Sequence, residues 1–169
     1  MSACWDYMEY IQKRLRNMEF TPEGKDPCGG IRGDAIVIRK PQFAAKLPEG
    51  SLPHIVTPGL VITPPKTISA PAELGTNNRD DIWYPILVQL VDTDGNEREQ
   101  NLRTYLKWTE KIRKAFHCHS ITDVPVEVGC GNSYATSTDT VDEKLWVREQ
   151  KFVSGVVVAV RSRETRGIE

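Results

Sequence analysis

The sequence predicts an α+β domain: a mixed or antiparallel sheet of about four to five strands, with two main helices packed on one face and a long proline-rich arm. Three observations carry this expectation. Residues 3–19 and 97–117 place apolar side chains at helical spacing, residues 82–91 and 152–160 alternate like strands, and helices and strands do not alternate regularly along the chain. The 169 residues suit one domain over the whole chain, 1–169, large enough to bury a core without staples.

In chain order, the first helix spans 3–19, with Met8, Ile11, Leu15 and Met18 as its seam, Trp5 extending it and Ser2 at the N-cap. "TPEG" at 21–24 stops it, and the glycine-rich loop "KDPCGGIRGD" leads into a strand, "AIVIRK", at 35–40. Seven of the eleven prolines then fall between Lys40 and Asp81. Proline cannot donate to a sheet ladder, so 41–81 reads as an arm with short edge strands, "HIVT" and "LVIT". Such a long irregular segment inside a compact domain is usually functional or poorly ordered.

The central unit is a strand at 82–91, a turn at "DTDGN" and a helix from Glu97 to His117. That helix has an apolar face of Leu102, Tyr105, Leu106, Ile112 and Phe116, with Thr109 and Ala115 beside it. A strand "VPVEVG" at 124–129 and a polar loop "CGNSYATSTDT" follow. The last element, 145–164, is a long strand or hairpin with Phe152, Ser154, Val156, Val158 and Val160 on one face.

Strand 82–91 poses a problem of cover. Ile82, Tyr84, Ile86, Val88 and Leu90 form one face, but Trp83, Pro85, Leu87, Gln89 and Val91 make a second that is nearly as apolar. The first is expected against the helices, notably Leu102, Leu106 and Phe116. The second is expected against a neighbouring subunit or the arm. Pro85 is expected near the strand start, at an edge or bulge.

A formal net charge of −1 supplies no global pull toward nucleic acid or acidic lipid, so a charge-driven partner must meet a local patch. No apolar run is long enough for a membrane span, and the N-terminal stretch lacks an apolar signal region, which points to the cytosol and to no membrane partner. Cys4, Cys28, Cys118 and Cys130 form no paired motif and are expected as free thiols.

Signals for chemistry are sparse. His117-Cys118-His119 lacks the second ligand pair of a zinc site and suits the negative end of a helix, so no metal or other cofactor is expected. "GGIRGD" precedes a strand, whereas phosphate-cradling loops follow one, and its Arg32-Gly33-Asp34 triplet reads as a flexible turn. No nucleophile motif occurs, and the pairs Asp80-Asp81 and Asp92-Asp94 lie at strand ends and turns. No catalytic residue is assigned, and an enzyme is not expected. Arg103, Lys107, Lys111 and Lys114 form a basic stripe that reads as a solvated helix face, with Trp108 as the one aromatic placed to serve nucleic acid.

Residues 82–116, "IWYPILVQLVDTDGNEREQNLRTYLKWTEKIRKAF", resemble the strand–turn–helix core of phage tail terminator (tail completion) proteins. The residues carrying the likeness are Tyr84, Pro85, Val88, Leu90 and Val91. On the helix they are Arg103, Tyr105, Leu106, Trp108, Glu110, Lys111, Ile112, Arg113, Ala115 and Phe116. "FVSGVVVAVRSRETRG", 152–167, looks like the closing strand of the same proteins with its Arg-Glu-x-Arg-Gly tail. The likeness covers roughly the C-terminal half together with a compatible first helix. The arm at 41–81 is longer and richer in proline than the family pattern.

The resemblance implies a non-enzymatic virion protein, assembled in the host bacterial cytoplasm. It would form a homo-oligomeric ring, commonly a hexamer, that caps the tail tube protein, ends tube growth and presents a surface to the head–neck connector. DNA would pass through transiently and without sequence preference. The expected assembly regions are the irregular, proline-rich arm 41–81 and the charged strand end at Arg161, Arg163 and Arg166, together with Trp83, Pro85 and Leu87 of the second strand face. Glutamate at Arg161 and Arg163 is expected to impair docking or ring closure while sparing the fold. The alternatives are a phage neck or head-completion adaptor, a nucleic-acid-binding domain using the helix stripe, and a small metal enzyme at His117 and His119.

Overall fold

The computed structural model describes residues 2–22, 29–39, 58–69, 79–92, 99–122, 124, 131–137 and 152–165. They form two helices and a six-stranded mixed sheet, an α+β domain. The elements are α1 (Ala3–Arg16), a 3₁₀ turn (Gly33–Ala35), β1 (Ile36–Ile38), β2 (Gly59–Thr63), β3 (Arg79–Asp92), α2 (Glu99–Phe116), β4 (His119–Ile121), β5 (Gly131–Ser137) and β6 (Phe152–Thr165). The strand order is β1-β2-β3-β6-β5-β4, with β1 and β2 parallel and every other pair antiparallel.

The spine is the β3–β6 pair, in register from Arg79↔Thr165 to Asp92↔Phe152. Side chains alternate across a sheet, so Tyr84, Ile86, Val88 and Leu90 share a face with Val156, Val158 and Val160, and all seven are buried. Both helices contribute to the same core: Tyr7, Met8, Ile11 and Leu15 from α1, and Tyr105, Trp108, Ile112 and Phe116 from α2. Burying each such aliphatic side chain is worth roughly 1.5–3 kcal/mol.

Ser2 occupies the N-cap position, as expected, in extended conformation and without a side-chain capping bond. Several other expectations are corrected. Trp5 does not extend the α1 seam: it is 47% exposed, and Tyr7, fully buried, takes that role. Helix α1 stops at Arg16, before Thr21-Pro22, as the Asn17 N–H turns back to the Lys13 and Arg14 carbonyls. The chain then brings Phe20 edge-on to Trp108, ring centroids 6.3 Å apart. On α2, Leu106 is 39% exposed while Trp108 is buried, its Nε1–H donating to the Thr21 carbonyl at 3.0 Å.

The sheet has six strands because two segments read as loops are strands. His119–Ile121 is β4, and Gly131–Ser137 is β5, paired with β6 from Gly131↔Ser162 to Ser137↔Val156. Small side chains are what this site accepts: the Tyr7 ring lies over Gly131, and a Cβ there would stand 2.9 Å from its Cε1. Inward-facing Ser133 donates its Oγ–H to the Phe116 carbonyl at 2.8 Å, closing the end of α2. The segments "HIVT", "DTDGN" after Asp92, and 145–151 lie outside the described residues, as does "VPVEVG" apart from Val124.

Pro85 sits inside an interior strand, not at its start. Trp83 exchanges both backbone hydrogen bonds with Ser69 across the edge facing β2. Pro85, two residues on, points its nitrogen the same way, into the gap between the Thr63↔Leu87 and Ser69↔Trp83 pairs. The missing N–H therefore faces a break in the ladder, where its loss costs least.

Candidate functional site

The helices cover one face of the sheet. The other carries the odd-numbered side chains of β3 and, by register, Val157, Ala159, Arg161 and Arg163 of β6 with Asn132 and Tyr134 of β5. Trp83, Pro85, Leu87, Gln89, Val91, Val157 and Ala159 are partly exposed there. Val61 and Thr63 on β2 share this face but are buried, so the accessible part centres on β3 and β6.

Five of the six expected assembly residues come together on this surface. Trp83 stands opposite Arg161, Pro85 opposite Ala159 and Leu87 opposite Val157, and Arg163 stands opposite Asp81. Arg166 lies outside the described residues.

At one end of the ribbon the side chains lock together. Asp81 accepts from Arg161 Nη2 at 2.7 Å and from Arg163 Nε at 3.0 Å. The Arg163 bond, and then the Arg161 bond, hold the Asp81 carboxyl below the usual carboxylate range, and Asp81 in turn raises Arg163. The Arg161 guanidinium lies 5.9 Å from the Trp83 ring centroid, and the Trp83 and Tyr134 rings are 5.8 Å apart. Asp81, Asn132, Arg161 and Arg163 line a cleft of about 230 Å³. Two guanidiniums on one carboxylate leave a local positive charge beside an aromatic pair, which suits binding.

Sequence reasoning noted Asp81 only as half of a carboxylate pair at a strand end, and missed Asn132 and Tyr134. Asp81 had a signal, since it lies two residues before Trp83 and so on the same strand face. Asn132 and Tyr134 sit in the segment read as loop, although Asn132/Tyr134 against Ser133/Ala135 is itself an alternation.

The histidine cluster divides. His117 and Cys118 are exposed, Cys118 with φ of 50°, while His119 turns to the Tyr10 hydroxyl at 2.6 Å. Burial, and then Arg14, push His119 below its ordinary pKa. Cys4 is half-buried, and burial followed by Glu164 raises its thiol. Cys28 and Cys130 lie outside the described residues, among which no group of three His, Cys, Asp or Glu side chains is placed to hold a metal ion. Arg32 and Asp34 of the Arg-Gly-Asp triplet pair with each other at 2.7 Å. Of the other carboxylates, Asp92 accepts from the Tyr105 hydroxyl, and Asp94 lies outside the described residues.

On α2, Arg103, Lys107, Lys111 and Lys114 are all exposed. Lys111 reaches the Glu19 carbonyl and Lys114 pairs with Glu110 at 2.8 Å. Trp108 belongs to the core and is withdrawn from that stripe. Among the described residues, no helix is long and apolar enough to cross a membrane. No known family model and no characterised protein matches the chain.

Proposed function

We propose that this chain is a structural assembly protein of the phage tail terminator type, which forms a ring through the sheet face that its helices leave partly exposed and caps the tail tube. One observation carries the reading. The apolar ribbon Trp83-Pro85-Leu87 with Val157-Ala159 is left partly exposed by helices that occupy only the opposite face. Strands β3 and β6, 14 residues each, run roughly 46 Å at ~3.3 Å per residue. The occupant is a second copy of the chain, whose different surface meets this one so that the contact closes into a ring by rotation. Such a ring presents its rim to the tail tube and to the head–neck connector and leaves a central passage for DNA.

The test is light scattering and negative-stain electron microscopy of the purified protein, alone and mixed with tail tubes. Wild type is expected as rings, or as density capping tube ends. Leu87→Glu and Val157→Glu, checked for folding by circular dichroism, are expected as monomers that leave the ends bare. A monomeric wild type with bare tubes, or folded variants that assemble normally, overturns the proposal.

A further inference from the structure

On the helix side of the molecule, the C-terminal turns of α1 and α2 enclose a groove of about 510 Å³ that no part of the ring reading uses. Lys13, Arg14 and Asn17 of the first helix and its cap line it, facing Lys111 and Lys114 of α2, with Tyr10 among the remaining side chains. Four cations thus converge on one concavity in a chain whose formal net charge is −1.

Cations near helix C-termini ordinarily answer the negative end of the dipole. Here that need is largely met by other donors. The Phe116 carbonyl receives Ser133, and the Lys13 and Arg14 carbonyls receive the Asn17 N–H; of the groove cations themselves, Arg14 reaches the Ala115 carbonyl and Lys111 the Glu19 carbonyl. Lys13 has no partner among the described residues, and Arg14 Nε is buried without an acceptor. Lys114 meets Glu110 only in an exposed pair, its side chain 67% exposed, and such pairs bind weakly.

We propose that this groove is a phosphate-binding site that takes the phosphodiester backbone of nucleic acid without reading its bases. Lysine ammoniums act as point charges suited to phosphate oxygens. The one guanidinium donates Nη2 to the Ala115 carbonyl, lies 5.7 Å from the Phe116 ring centroid and keeps its Nε buried, so it does not present the bidentate fork a carboxylate partner would favour. The volume exceeds a single phosphate and admits backbone on either side. The stripe read along α2 is thereby divided: Lys111 and Lys114 join α1 at the groove, and Arg103 and Lys107 do not line it. The site lies across the sheet from the proposed ring surface, so either can fail without the other.

The experiment is fluorescence anisotropy of labelled duplex DNA with the full chain across ionic strength, with inorganic phosphate as competitor. About three phosphate contacts give a log–log salt slope near −3, a loss of about 40-fold in affinity between about 50 and 200 mM salt. Lys13→Ala with Lys114→Ala is expected to bring the slope to about −1, and Arg103→Ala with Lys107→Ala to leave it unchanged. DNA binding with competition by phosphate supports the proposal. Binding of phosphate alone, lost in the groove variant, keeps the site and assigns it to a small phosphate ligand. Two results overturn it: neither probe binds, or binding follows Arg103 and Lys107 instead.

Discussion

Replacing Gly131 with alanine tests how α1 is fixed to the sheet. The added Cβ would stand 2.9 Å from both Cε1 and the hydroxyl oxygen of Tyr7. That ring cannot step aside cheaply, because Tyr7 is fully buried and its hydroxyl donates to Ser162 Oγ at 2.7 Å. Forcing a methyl into such a site costs roughly 1–3 kcal/mol, offset by about 0.4–1 kcal/mol from the reduced freedom of the unfolded chain. The net loss is about 1–2 kcal/mol, which lowers the melting temperature by roughly 2–8 °C for a chain of this size. Gly33→Ala is the internal control: its nearest neighbour would be Arg16 Cγ at 4.0 Å, so it is expected to be neutral or slightly stabilising. Thermal melts of both variants, followed by circular dichroism, decide the matter. In a double-mutant cycle, Tyr7→Leu should relieve much of the Gly131→Ala cost, with coupling of about 0.5–3 kcal/mol. A Gly131→Ala protein that melts at or above wild type would refute the contact and with it the docking of α1 on β5.

Ser133→Ala removes the donor that closes α2 onto β5, leaving the Phe116 carbonyl unsatisfied beside a fully buried position. A loss of about 1–3 kcal/mol in urea unfolding is expected, and a loss below about 0.3 kcal/mol would mean the bond contributes nothing net. His119 should make stability depend on pH. Its folded pKa is depressed, so its contribution is complete above the unfolded value of about 6.5 and is lost as pH falls through the folded one. The advantage of wild type over His119→Gln, measured from melting temperatures, should therefore shrink on going from neutral pH to about pH 5. A gap that is constant or widens contradicts a His119 whose charged form is disfavoured by burial and by Arg14.

The parts of the fold that were legible are those whose signal is local. Tyr84, Ile86, Val88 and Leu90 recur with the period of a strand, and Ile112 and Phe116 with that of a helix, because each repeat records burial on one face. What was misread depends on partners distant in sequence. Leu106 and Trp108 are equally apolar, and the choice between them is made by Phe20 and by the Thr21 carbonyl, 87 residues from Trp108. Strand β5 has the composition of a loop, and β6 imposes its extended form, while the Tyr7 ring and the Phe116 carbonyl demand small or hydroxyl side chains. At the candidate site, Trp83, Pro85 and Leu87 were readable as a second apolar strand face, which the helices leave partly exposed. Asp81 was not readable as the anchor of two arginines 80 and 82 residues away.

Asp81 also changes what the arginines can reveal. Its side chain is only 6% exposed and rests between Arg161 and Arg163. Glutamate at both arginine positions would gather three carboxylates at one point and turn the two hydrogen bonds into repulsion, so the fold at this end of β3 and β6 would be disturbed along with any docking. Loss of assembly in that variant therefore cannot separate an interface role from a structural one, contrary to the expectation from sequence. The discrimination falls to Leu87 and Val157, whose side chains are partly exposed on the same ribbon. In the proposed assembly the cluster would have a different use. By fixing both guanidiniums, one of them over Trp83, Asp81 orders this edge of the surface before a partner arrives, and side chains already ordered lose less freedom on binding. Since its folded pKa is depressed, that order persists above the ordinary carboxylate value of about 4 and fails only as pH falls through the lower folded value. Ring formation through this face should thus be insensitive to Asp81 throughout the neutral range, and any pH dependence there must come from elsewhere.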